Sequence, residues 1–101
     1  MSLRSEEAYQ NKLVQKLKIL FPGCFVLKNN PKDIQGIPDL LILFGTRWAM
    51  LEVKMMASAN VQPNQEYYVQ LFDDMSFSAF IYPSNEEEVL NDLQHAFGVR
   101  W

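Results

Sequence analysis

Gly36-Ile37-Pro38-Asp39-Leu40-Leu41-Ile42-Leu43-Phe44, followed after Gly45 by Trp48-Ala49-Met50-Leu51-Glu52-Val53-Lys54, is the stretch that decides how this chain folds. Two apolar runs of strand length flank a short Gly-containing turn, the pattern of an antiparallel hairpin. Their only acidic members are Asp39, at the start of the first run, and Glu52, near the end of the second. Closing the hairpin brings both carboxylates to one end of the sheet. Side chains alternate faces along a strand, so Glu52 and Lys54 point one way and Val53 the other. Two carboxylates and an ammonium then share one small patch.

Such a patch is costly by itself, because like charges repel at short range and a carboxylate at a sheet end is partly desolvated. A hard divalent cation removes that cost. Mg2+ is commonly held by one or two carboxylates, with water and substrate phosphate completing its shell. A lysine two residues from a ligand can orient the attacking water or offset charge on a phosphoryl oxygen. Metal-assisted phosphodiester hydrolysis is the chemistry this arrangement predicts.

Outward from the hairpin, about Arg4 to Leu20 reads as a helix with Tyr9, Leu13, Leu17 and Leu20 on one face, Ser5 as its cap and Pro22-Gly23 as its stop. Cys24 to Lys28 is a short strand, and Asn29 to Gly36 a polar loop. Met55 to Val61 lacks periodicity and is expected to be a mobile connection. A second helix follows from about Pro63 to Met75, with Tyr68, Leu71, Phe72 and Met75 as its inward stripe. Phe77 to Tyr82 is a fourth strand. Ser84-Asn85-Glu86-Glu87 has capping-box spacing and opens a last helix, with Leu90, Leu93 and Phe97 inward and Gly98 at its end. These elements predict an α/β domain over residues 1–101, with a mixed, mostly antiparallel four-stranded sheet flanked by helices.

Two polar residues continue apolar stripes. Glu6 precedes Tyr9 by three residues and Leu13 by seven, which puts it on the inward face of the first helix, while Glu7 is rotated away beside Gln10 and Val14. Gln65 stands in the same relation to Tyr68 and Phe72. An inward acid or amide at the tip of a helix needs a cation or a polar partner.

With 101 residues, 49% hydrophobic and 21% charged, the composition is that of a globular protein. A net charge of −3 is not the basic excess expected of a protein that binds DNA mainly through backbone electrostatics, and counts against a pure DNA-coating role. Any DNA-facing patch must be local, with Lys28, Lys32, Arg47 and Lys54 as candidates. No apolar run reaches the roughly 20 residues of a membrane span, no signal sequence is recognisable, and the single cysteine, Cys24, fits a reducing, cytoplasmic setting. His95 has no second ligand nearby and reads as solvated. Trp48, Phe44, Tyr67 and Tyr68 read as core or interface residues, and Trp101 is expected to be ordered by a partner subunit.

Pro38-Asp39, a gap of twelve residues, then Glu52-Val53-Lys54 resembles the PD-(D/E)XK nuclease superfamily, and Gly36-Ile37-Pro38-Asp39 with the later Pro63-Asn64-Gln65 is similar to its virus-type replication and repair (VRR-NUC) branch. The resemblance extends over nearly the whole chain and implies the minimal αβββαβ core of restriction-endonuclease-like folds. It further implies Mg2+ or Mn2+ held by Asp39, Glu52 and the Val53 backbone carbonyl, with Lys54 and Gln65 in the catalytic set. Glu6 is the acidic helix residue approaching that site, with Glu7 as the alternative. The implied activity is endonucleolytic cleavage of DNA, including structure-selective cutting of branched DNA or Holliday junctions in repair and recombination. Junction cutting calls for a homodimer or higher homo-oligomer. The competing expectation is a non-catalytic nucleic-acid-binding or assembly module that retains the fold.

Overall fold

The structure, a computed structural model, describes residues 3–100, with side chains from Ser5 onward. Helix α1 (Leu3–Leu20) leads into β1 (Phe25–Lys28), the hairpin β2 (Leu40–Phe44) and β3 (Arg47–Val53), helix α2 (Pro63–Met75), β4 (Ser78–Ile81) and helix α3 (Glu86–Phe97). The strands form one sheet in the order β1-β2-β3-β4. The first two pairings are antiparallel, with Leu40 opposite Leu51 and Phe44 opposite Arg47 in the central hairpin. The β3–β4 pairing is parallel, and α2 is the crossover that a parallel neighbour requires. The expected mixed, mostly antiparallel four-stranded α/β sheet is therefore what forms.

Alternation along the strands separates the two faces. Leu40, Ile42, Ala49, Leu51, Val53 and Ile81 point to the face covered by α1 and α3, where they join Leu13, Leu17, Leu93 and Phe97 in a buried cluster. Phe21 anchors it, with ring centroids 5.2 Å from Phe97 and 5.8 Å from Phe44. Fully burying each such side chain stabilises the fold by about 1.5–3 kcal/mol before conformational entropy is set against it. On the opposite face α2 lies over β3 and β4, with Trp48 edge-on to Phe72. The β1–β2 half of that face is uncovered, leaving Phe25 68% and Leu27 48% exposed.

Several local expectations are corrected. Ser5 falls inside the first turn of α1, because the helix begins at Leu3. Val14, placed on the outer side beside Glu7, is buried. In α2, Val69 is the buried residue, Tyr68, Leu71 and Phe72 are half-buried, and Met75 is 63% exposed. Tyr67 is exposed as well. The helix rests on two strands rather than being sunk between layers, so its stripe is only partly covered. There is no Ser84 capping box. Helix α3 starts one residue later, and its N-cap Asn85 turns its amide back to β4, accepting from the Tyr82 N–H at 2.8 Å and donating to the Phe80 carbonyl at 3.0 Å. Glu86 does more than complement a helix dipole. It accepts from the Tyr9 hydroxyl at 2.8 Å and pairs with Lys16 at 2.6 Å, tying α3 to α1. Trp101 lies outside the described residues. No described helix is long and apolar enough to cross a membrane.

Candidate active site

The hairpin register places Asp39 just before Leu40, beside the end of β3. Asp39 is held there from two sides. Its Oδ2 accepts the Val53 N–H at 2.8 Å, and its backbone carbonyl accepts the Asn29 N–H at 2.8 Å. Asn29 also donates its side-chain amide to the Pro38 carbonyl at 2.9 Å. Its place in a polar loop carried no periodic or motif signal for this clamp. In a strand the N–H and C=O of one residue face the same neighbour, and Met50 and Lys54 donate their N–H groups toward β4. Val53, one residue out of phase, therefore turns its carbonyl to the Asp39 side.

Glu52 is only 3% exposed and shares its face with Lys54, whose Nζ lies 3.7 Å from Glu52 Oε2. Gln65, in the first turn of α2, bridges the pair. Its Oε1 accepts from Lys54 Nζ at 3.0 Å and from the Gln62 N–H at 3.1 Å, and its Nε2 donates to Glu52 Oε2 at 3.4 Å. Lys54 Nζ also reaches the Asn60 carbonyl at 3.4 Å, which ties the 55–62 connection to the site. One amide thus fixes the separation of a carboxylate near the end of β3 and an ammonium one residue beyond that strand.

Charge in this cluster is out of balance. Burial, then the neighbouring Asp39 charge, pushes Glu52 up to about 8, against the pull of Lys54, with a hydrogen bond to Asp39 and the charge of Glu6 adding to the rise. Burial also raises Asp39, in opposition to its hydrogen bonds from Val53 and Glu52 and to the Lys54 charge. Both carboxyls are thus shifted toward their protonated forms, by burial first and, for Glu52, by the neighbouring Asp39 charge next. Glu6 is half-buried and close enough to act on Glu52 electrostatically, whereas Glu7 is exposed.

Of the cationic DNA-facing candidates, Arg47 is engaged elsewhere. It sits at the turn end of the hairpin, opposite the carboxylates, and donates to the Ala96 carbonyl at 2.9 Å, capping the end of α3. Lys28 is exposed and donates to Asn11 at 2.7 Å, and Lys32 is exposed on the loop before Pro38. Cys24 is half-buried, its thiol raised by burial and directed at the Leu17 carbonyl, 3.6 Å away. It has no part in the cluster. His95 is exposed on α3.

Comparison with known protein families, curated proteins and solved structures returns no match for this chain. Its chemistry must be argued from the site alone.

Proposed function

We propose that this protein is a divalent-metal-dependent DNA endonuclease, a phosphodiester hydrolase of the PD-(D/E)XK kind with the pattern of the VRR-NUC branch. The observation that carries this reading is the Asp39–Glu52 pair, the first half-buried and the second buried, flanked by Lys54 and Gln65 at one end of the sheet. The donor set suits a hard ion: two carboxylates and the Val53 carbonyl would all be oxygen ligands, and a cation there would relieve the repulsion that helps raise the Glu52 carboxyl. Among the described residues no three His, Cys, Asp or Glu side chains form a self-contained metal group. Water and a substrate phosphate would complete the shell, the open coordination Mg2+ or Mn2+ accepts. When bound, such an ion polarises the phosphoryl oxygens and acidifies water.

The chain's own groups do the rest. The Val53 N–H and the Asn29 clamp hold Asp39 at a set position. Gln65 keeps Lys54 beside Glu52, where the ammonium orients the attacking water or offsets charge gathering on the phosphorane-like transition state. Glu6 adds negative charge at the rim and raises the site's demand for a cation. Attack forms the water oxygen–phosphorus bond as the phosphorus–O3′ bond breaks, leaving a 5′-phosphate and a 3′-hydroxyl. A net charge of −3 limits DNA contact to local cations, of which Lys28 and Lys32 are exposed. Structure-selective cutting of branched DNA, Holliday junctions included, goes with a homodimer that spaces two sites. The bare Phe25, Leu27 and Leu43 on the carboxylate face offer that assembly an apolar surface. A cytoplasmic role in repair or recombination accompanies this reading.

The test is cleavage of labelled supercoiled plasmid, linear duplex, single strand, flap and four-way junction in Mg2+, Mn2+ or EDTA. Metal-dependent cutting should fall at least about 100-fold in Asp39→Ala and Lys54→Ala, since each removes transition-state electrostatics. Wild-type turnover in purified Asp39→Ala overturns the assignment. Binding of DNA with no cutting in any metal would favour the non-catalytic nucleic-acid-binding or assembly module.

A further inference from the structure

A second concavity opens beside the carboxylates. It is a cleft of about 360 Å3 between the 30–36 loop and the first turn of α2, lined by Pro31, Gln35, Gln62, Pro63, Asn64 and Gln65. Gly36 forms its seam. This glycine has φ +92°, and a Cβ there would collide with Asn64 Cβ and stand 2.8 Å from the Asn64 backbone carbon. Loop and helix are thereby joined backbone to side chain with no room between them, so the cleft walls hold a fixed separation. Its lining is uncharged: four side-chain amides, two proline rings and Gly36, with no charged residue taking part.

That chemistry selects its ligand. A phosphate would call for a lysine or arginine, and a cation for a carboxylate, neither of which lines the cleft. A purely apolar partner would leave the amides unpaired. A flat heterocycle with donors and acceptors around its edge satisfies both parts, because Asn and Gln amides pair two-fold with base edges while its apolar faces can lie against the apolar proline rings. The amides of Gln35 and Asn64 are exposed and free of protein partners among the described residues. Gln65 belongs to both places, lining the cleft and bonding Lys54 and Glu52. An occupant of the cleft therefore lies one side chain from the proposed reaction centre.

We infer that this cleft receives a single unstacked nucleobase, that of a nucleotide flanking the scissile phosphate, through the amides of Gln35 and Asn64. The inference rests on the nuclease reading and adds a substrate class to it: DNA with an unpaired nucleotide beside the cut. A stacked, paired base cannot enter, as its edge and faces are already occupied.

Direct binding separates this inference from the nuclease reading. Side-chain amide resonances of Gln35 and Asn64 in the whole 15N-labelled protein are followed with millimolar 2′-deoxynucleoside 5′-monophosphates and, in parallel, with 2-deoxyribose 5-phosphate. The nucleotides should move both resonances and the base-free sugar phosphate should not. Loss of one paired amide in Gln35→Ala or Asn64→Ala should weaken nucleotide binding about tenfold. Both substitutions retain Cβ, and Gln35 lies on an exposed loop, so folding is not at risk. In cleavage, the preference for an unpaired strand over the same strand made abasic beside the cut should shrink in each variant. Equal shifts from the sugar phosphate, or none from the nucleotides, overturn the cleft. Amide shifts in a protein that cuts no DNA would sustain the cleft and sink the nuclease. Cutting with unmoved amides and an unaltered preference would do the reverse.

Discussion

The two faces of the sheet are built on opposite terms. Under α1 and α3 the face is apolar, with Phe21, Phe44 and Phe97 in mutual ring contact and, among the described residues, no buried polar side chain in the cluster. The other face carries both polar residues buried in the described chain, Glu52 and Ser78, under a helix that covers half of it. A small domain stands only about 5–15 kcal/mol from unfolding. It tolerates a carboxylate pair drawn out of water only if apolar packing elsewhere offsets the cost. Segregation by face does this, and strand alternation makes it possible, since Leu51 and Val53 serve the core while Glu52 between them serves the site.

The largest expected effect breaks the contrast on its apolar side. Phe21→Ala empties a fully buried ring site and should cost about 3–5 kcal/mol in urea denaturation, whereas Leu43→Ala on the uncovered half should cost under about 1 kcal/mol. Comparable losses at the two positions would mean that the bare face is covered in solution by a second copy.

The next effect tests the charged face. Since burial and Asp39 lift Glu52 to about 8 from an ordinary 4.5, the folded protein binds that proton more tightly than the unfolded chain does. The Glu52 contribution to the stability of the metal-free protein should therefore be fully present below about pH 4.5 and be lost as pH rises through about 8. Glu52→Gln should flatten that decline. Millimolar Mg2+ or Mn2+ at the alkaline end should restore the wild type and leave Asp39→Asn unmoved, as read by thermal unfolding. A pH-independent wild type would show that the carboxylates are neutralised by protein groups alone.

The smallest effect sharpens the comparison. Ser78 Oγ is buried without a hydrogen-bond partner among the described residues, although its backbone N–H bonds Asp73. Ser78→Ala should leave stability unchanged or raise it by up to about 1 kcal/mol, because it removes an unpaired hydroxyl from under α2. A clear loss would reveal a water or ligand bound to that hydroxyl.

Most of the elements were legible because their cues are local. The Leu40–Phe44 and Trp48–Val53 runs, the turn between them and the Pro63 helix start depend on residues within a few positions of one another. Glu52 and Lys54 share a face by strand geometry alone. The Asn85 clasp was not legible, since its partners Tyr82 and Phe80 are backbone groups that any sequence would offer. Arg47 read as a free surface cation because the α3 end it caps lies 49 residues away. The shallow seat of α2 was equally hidden, for an amphipathic stripe records which residues are apolar and not how much neighbouring surface is there to cover them.

By itself, then, the sequence determined the strands, the helices and the co-facial placement of Glu52 and Lys54, because backbone alternation and helical period act over short distances. Only the tertiary structure decided that β4 runs parallel to β3, that Gln65 spans Lys54 and Glu52, and that Gly36 closes against Asn64. Each of those joins residues distant in the chain, and their meeting depends on how whole elements pack over the sheet.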